Sequence, residues 1–258
     1  MDPYFRQFQT KRYGRRFRIK IYAVIGILVL LSILAAYTVI DSPVFRVHTF
    51  VITGATSYSD QEVLQIIEPL VIRSWLGKFL GSHNLLAWGT DHPDIAKTPF
   101  DSATVERSWL KQAVTISVHE RDRLAIWCDN YQSCNWIDST GMAFESAPQT
   151  EGSLILTVTD LDPVHVLPGE FVIGQRFLGN LLLILRELPS LNLPIRSLSY
   201  DGHLEEVHAQ TYSGTTLLFS IRFDPTANIS SLQTLEGTVN VAKLSTVDLR
   251  VENRLYYK

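Results

Sequence analysis

The run IYAVIGILVLLSILAAYTVI, residues 21–40, carries no charged side chain. Twenty helical residues rise about 30 Å, the thickness of a bilayer's hydrocarbon core. No other stretch restricts the chain as strongly, because backbone polar groups in lipid must bond within the segment itself. Three other readings compete with a span. A cleaved signal peptide has an apolar run of roughly 7–15 residues and a small-x-small cleavage site. This run is longer, and Ile33 and Leu34 precede Ala35 and Ala36. The stretch GRRFRIK carries the twin arginines of an export signal, but Phe17 follows them directly. A soluble core helix would hardly be apolar on every side for this length. The length favours an uncleaved anchor.

Charge gives the anchor a direction. Residues 1–20 hold Arg6, Lys11, Arg12, Arg15, Arg16, Arg18 and Lys20 against Asp2 alone, leaving 16 basic and 25 acidic residues elsewhere, a net of −9. Basic flanks stay cytoplasmic, so the expected layout is a basic cytoplasmic tail over 1–20, a transmembrane helix over 21–40, and residues 41–258 outside. The same basic tail is expected to touch anionic membrane lipid rather than nucleic acid.

In an exported region, Cys128 and Cys134 of IWCDNYQSCNWID meet an oxidising compartment, where pairing is favoured. Five residues separate them, which suits a hairpin whose strands face the two cysteines together. Closing so small a loop stabilises by about 2 kcal/mol. Zinc needs four ligands, and the region lacks the histidines.

The outer part reads as two folded regions, 41–120 and 121–258. An alternating stretch from Val44 to Ile52 ends at Gly54 and predicts a strand. Ser59 with Glu62 forms a capping box ahead of Val63, Leu64, Ile66, Ile67 and Leu70 at helical spacing. A short apolar helix is expected over Trp75–Leu80 and a helical turn near Asp91–Lys97, followed by strands at about 102–109 and 112–118 around a tight turn. Beyond residue 121, CNWIDSTGMAFES predicts strand, turn on Ser139–Gly141, and strand. GSLILTVTD adds a strand, and a helix stops before Pro189. Strands follow near 195–201, 204–211 and 215–223. Ser230 with Gln233 suggests a second capping box, with Leu232, Leu235, Val239 and Ala242 on one face. In STVDLRVENRLYYK, Val247, Leu249, Val251 and Leu255 alternate with Asp248, Arg250, Glu252 and Arg254, which predicts a final strand with nothing after it to cover its edge. On pattern alone, that strand is an ordinary member of a sheet.

In this order, behind a single span, the stretches SPVFRVHTFVITGATSYSDQEVLQI, VTISVHERDRLAIW, CNWIDSTGMAF and KLSTVDLRVENRLYYK resemble the FtsQ/DivIB cell-division proteins of bacteria. The resemblance implies an α+β chain: a single N-terminal transmembrane helix, a POTRA-type domain of βαββ order over 41–120, and a mixed β-sheet domain with two helices over 121–258. It implies a non-enzymatic scaffold, concentrated at the division septum. The partners would be small single-span coiled-coil proteins of the FtsB and FtsL kind, held by the exported β domain through strand addition. Mapped onto this chain, the partner-binding positions are Arg250, Val251, Glu252, Asn253, Arg254, Leu255, Tyr256 and Tyr257. Contacts fall on Val251 and Asn253, with the aromatic contact on Tyr256 or Tyr257. The alternative is a POTRA-bearing, membrane-tethered chaperone or export-apparatus subunit.

Chemistry finds little footing. SWLK at 108–111 matches the S-x-x-K of penicillin-binding enzymes, and SDQ at 59–61 nearly matches their S-D-N. Ser108, however, falls in an expected strand, where Lys111 would face the other way, and there is no K-T-G. The seven histidines show no H-x-x-x-H or H-E-x-x-H spacing, and no glycine run could cradle phosphate. No catalytic residue, cofactor, metal or small-molecule substrate is expected.

Overall fold

A computed structural model of the chain describes residues 3–89, 92–131, 133–149 and 155–258. It is a mixed α+β structure with one helix near the N-terminus, α1 (Pro3–Asp41), whose segment Lys20–Thr38 is long and apolar enough to cross a membrane. The chain divides into two compact units. The first includes Met1–Thr53, Ser59–Pro93 and Thr104–Ser117; the second includes Gly54–Tyr58, Asp94–Ala103 and Val118–Lys258.

β1 (Thr49–Thr53) runs parallel to β3 (Ala113–Glu120), with β2 (Phe100–Ser108) on the other side of β3; β1, Thr104–Ser108 of β2 and Ala113–Ser117 of β3 belong to the first unit. Parallel neighbours need a crossover, and α2 (Asp60–Val71) begins it. The expected capping box is present: the Ser59 hydroxyl accepts from the Glu62 N–H, while the Glu62 carboxylate takes the Ser59 N–H at 2.8 Å. Val63 and Ile67 of α2 are buried, as are Val114 and Ile116 of β3. The short helix α3 (Trp75–Leu80) is where the sequence places it, capped by Ser74.

Two expectations need correction here. The alternating stretch from Val44 is a strand only from Thr49 onward. Before that, the chain turns at Ser42–Phe45 and binds residues 83–85, with Val47 N–H on His83 O and Leu85 N–H on Phe45 O, both 2.7 Å. No helical turn forms over residues 92–97; Ile95–Thr98 make a tight turn closed by the Thr98 N–H on Ile95 O, and Asp91 lies outside the described residues. Lys111 lies in the β2–β3 turn, where its N–H reaches the Ser108 hydroxyl at 3.4 Å.

The second unit is built on a nine-stranded sheet: β4 (Ala125–Cys128), β5 (Cys134–Ile137), β6 (Ala143–Ser146), β7 (Thr157–Asp160), β8 (Ile195–Asp201), β9 (Glu206–Thr211), β10 (Thr216–Ser220), β11 (Thr246–Val251) and β12 (Arg254–Tyr257). Their order across the sheet is β12-β11-β10-β9-β8-β7-β4-β5-β6. The two helices occupy crossovers between parallel neighbours: α4 (Gln175–Glu187) joins β7 to β8, and α5 (Thr226–Glu236) joins β10 to β11. Both crossovers step the same way along the sheet, so right-handedness puts both helices on one face. Leu181, Leu185, Ile229 and Leu232 accordingly share one core with Trp127, Leu217, Phe219 and Leu249. Cys128 and Cys134 face each other across the β4–β5 hairpin, Cα atoms 4.0 Å apart, and are joined as a disulfide.

Ser230 does not cap α5. The helix starts a turn earlier, behind Pro225, whose fixed φ suits a helix start and whose missing N–H is not needed there. Asp224 accepts the Thr226 N–H at 2.9 Å, and the Ser230 hydroxyl, now inside the helix, donates to Thr226 O. The helix ends at Glu236, short of Val239 and Ala242.

Candidate partner-binding edge

The sheet of the second unit has two ends, and they differ. At β6, residues 169–172 lie alongside: Ala143 N–H donates to Glu170 O at 2.9 Å, Gly169 N–H to Ala143 O at 2.6 Å, and Met142 bridges Phe171. The start of that edge strand is thus covered by the protein's own chain. At the other end, β12 has β11 on one side and, among the described residues, no strand on the other.

The terminal segment is a hairpin and not the single strand that its alternation suggests. β11 and β12 are antiparallel around Glu252 and Asn253, with Val251 opposite Arg254. Asn253 takes φ 56°, a left-handed turn conformation that asparagine tolerates better than most residues. A register shift between Asp248 and Val251 brings Tyr256 opposite Asp248 and Tyr257 opposite Val247. Leu255 packs against the core, whereas Val251, Tyr256 and Tyr257 are exposed. Thr246 and Lys258 exchange both backbone bonds, at 3.0 and 3.4 Å. In an antiparallel ladder such pairs alternate with residues whose backbone groups point away from the neighbour. Tyr257 therefore turns its N–H and C=O to the open side of β12.

Asn228 holds this hairpin in place. It is 1% exposed, in the first turn of α5. Its Nδ2 donates to Leu249 O (2.7 Å), Val251 O (2.9 Å) and Arg254 O (3.3 Å), and its Oδ1 accepts the Asn253 N–H at 2.9 Å. One amide thus satisfies backbone groups on both strands and in the turn between them. Sequence reading did not find Asn228; the available signal is a polar residue beside Ile229 in an otherwise amphipathic stretch.

Arg250 is already engaged within the protein. Its Nε and Nη2 fork onto the Asp248 carboxylate at 2.9 and 2.7 Å, and Nη1 reaches Glu206 of β9 at 3.2 Å. The Arg250 guanidinium draws the Asp248 carboxyl below its usual pKa, against the effect of partial burial. Of the eight mapped positions, the structure thus leaves Val251, Tyr256 and Tyr257 as an exposed apolar group at the edge. Glu252 and Asn253 form the turn, Arg254 is exposed, Arg250 is tied to its own sheet, and Leu255 belongs partly to the core.

Elsewhere in this unit, Asp160 is 2% exposed at the end of β7. Burial pushes its pKa up to about 6; the Asp162 N–H bonded to it pulls the other way, and the Asp162 and Asp129 charges add to the rise. A carboxyl with a raised native pKa destabilises the fold once ionised. The penalty is absent below about pH 4, grows to about pH 6, and is complete above. Asp160→Asn should therefore stabilise the second unit by about 2 kcal/mol at pH 7 and by nothing at pH 4. Thermal unfolding of the two proteins at both pH values checks this; an equal gain at both would remove the charge from the explanation.

Among the described residues, no three His, Cys, Asp or Glu side chains converge as a metal site. Compared with known proteins, the sequence matches no protein-family model and no curated protein.

Proposed function

We propose that this chain is a membrane-anchored scaffold of the bacterial division machinery, with its N-terminus in the cytoplasm and its two folded units outside. In this reading the first unit is a POTRA-type domain. The second is a β domain that takes up an extended segment of a small single-span coiled-coil partner of the FtsB and FtsL kind at the septum. The role is recruitment and not catalysis. The observation that carries the proposal is the asymmetry of the nine-stranded sheet: one edge covered at its start by residues 169–172, the other ending in a short strand with outward backbone groups at Tyr257. An unpaired edge in water is normally blunted, and a partner strand satisfies its N–H and C=O groups while pockets and side chains set register. Val251, Tyr256 and Tyr257 supply the exposed apolar side chains beside it.

A photo-crosslinking residue at Tyr256 in living cells is expected to capture small single-span coiled-coil proteins. Tyr257→Pro should abolish that capture and leave folding intact, since the lost N–H faces away from β11 and proline is tolerated at an outward edge position. Tyr257→Ala, which keeps the N–H, should reduce capture only in part. Capture of export components instead, or full capture by the proline variant, overturns the proposal.

A further inference from the structure

Outside α1, the exposed large apolar side chains of the first unit gather in three places, Val51 excepted. These are Val44, the outer face of α3 with the Leu86 that follows it, and the β2–β3 turn at Trp109 and Leu110. Trp75 is 75% exposed, Phe79 67% and Leu110 fully exposed. Trp75, Leu76 and Phe79 lie on one side of α3, while Gly77 on its other side is buried.

All three places are tied to the few residues that leave α1. The segment after α3 binds the chain at Phe45 and Val47, through Leu85 N–H on Phe45 O and Val47 N–H on His83 O. Gln112, at the end of the β2–β3 turn, donates its Nε2 to Pro43 O at 2.6 Å and Val44 O at 3.2 Å, and its carbonyl accepts the His48 N–H at 2.8 Å. Trp109 packs edge-on to Phe45, ring centroids 6.2 Å apart. The chain does not extend away from the helix before making these contacts, because Phe45 N–H closes a turn on Ser42 O.

Depth follows from length. If the run 21–40 fills the hydrocarbon core, its end at Ile40 marks one boundary of that core, and the headgroup layer extends roughly 5–7 Å beyond it. Val44 is four residues on, within about 14 Å even for an extended chain and closer through a turn. Residues 83, 85 and 112, bonded to residues 43–48, are thereby held close to that boundary. Tryptophan, like tyrosine, is enriched there, its ring amphipathic and its N–H available to headgroups. Lys78 on α3 and Lys111 in the β2–β3 turn are exposed, and lysines beside an anionic surface add attraction.

We infer that the outer face of α3 and the β2–β3 turn form a foot that rests in the lipid interface, with Trp75, Leu76, Phe79, Trp109 and Leu110 seated in the headgroup layer. The membrane then holds the first unit at three points and not by a single flexible stalk. The inference rests on the reading that α1 spans a membrane, so the test must separate the two.

Nitroxide labels would be placed one at a time at Leu76→Cys, Leu110→Cys and Leu30→Cys in the full chain, reconstituted into vesicles of phosphatidylethanolamine with phosphatidylglycerol. Cys128 and Cys134 are paired and do not compete for label. Collision with dissolved oxygen relative to a water-soluble nickel chelate reports depth. A label at Thr234, exposed on α5, gives the aqueous reference. The expected result is an oxygen-to-nickel ratio several-fold above that reference at 76 and 110, and higher still at 30. Labels at 76 and 110 that meet nickel freely while 30 does not would overturn the foot and leave the span standing. Labels at 76 and 110 that neither reagent reaches would mean that protein covers this face, which also overturns it. Nickel access at 30 would remove the span, and the foot with it.

Discussion

Arg121→Ala is expected to destabilise the second unit by about 4 kcal/mol, because it breaks a buried ion pair from one side. Arg121 is almost wholly buried: its Nε donates to Phe100 O at 2.9 Å and Thr98 O at 3.2 Å, and its Nη1 pairs with Asp138. Removing the guanidinium takes the shared Nε–H away from two carbonyls and leaves a buried carboxylate without its cation. Asp138 cannot easily protonate in response. Burial raises its pKa, but the Thr140 hydroxyl and the N–H groups of Met142 and Thr140, together with Arg121, hold it below the usual value. A companion variant isolates the charge. Arg121→Met with Asp138→Asn keeps volume and the acceptor for Thr140 while removing both charges, and is expected to lose clearly less than Arg121→Ala alone. Denaturant unfolding of both proteins decides it; equal losses would mean that shape, and not the stranded charge, sets the cost.

Asn228→Ala is expected to cost about 3 kcal/mol and to loosen the terminal hairpin selectively. Each lost bond to a buried carbonyl is worth about 1 kcal/mol, and more where the acceptor is left dry. Four backbone groups depend on this one amide. Hydrogen exchange is the sharper readout, because residues 246–257 should lose protection while β8 and β9 keep most of theirs. Unchanged protection in the hairpin would show that the β11–β12 ladder holds itself. Asn228 also bears on how the edge is tested. Truncation after Leu249 removes three of its four backbone partners, so lost binding in such a protein would mix the loss of an edge with damage to α5. Tyr257→Pro avoids that confusion.

What the sequence revealed follows the range of the forces involved. The Ser59–Glu62 box, α3, the β4–β5 hairpin with its cysteines and the stop of α4 near Pro189 are local, set by residues within a turn of each other. The errors arise where a distant partner decides. Val44–His48 alternate like a strand, yet their backbone is claimed by residues 83–85 and 112, far along the chain. Ser230 and Gln233 have capping-box spacing, but Pro225 had already begun the helix. The terminal segment misleads most instructively. The hairpin's register shift returns Leu255 to the core face beside Leu249, so the side-chain alternation passes through the turn as if the strand were straight. Only Asn253, a residue at home in left-handed turns, marks the reversal. The resemblance only assigns positions 250–257 an expected role, and neither it nor the local pattern points to the amide that holds their hairpin, 21 to 26 positions upstream of its partners.

The strap at residues 169–172 has a consequence for assembly. Where residues 169–172 take up the outward N–H and C=O of Ala143, the start of β6 offers no backbone bonds to the outer strand of another copy, which works against head-to-tail addition there. A strap so placed lowers the risk that the exposed strand of one molecule seeds a ladder on its neighbours when the protein is crowded.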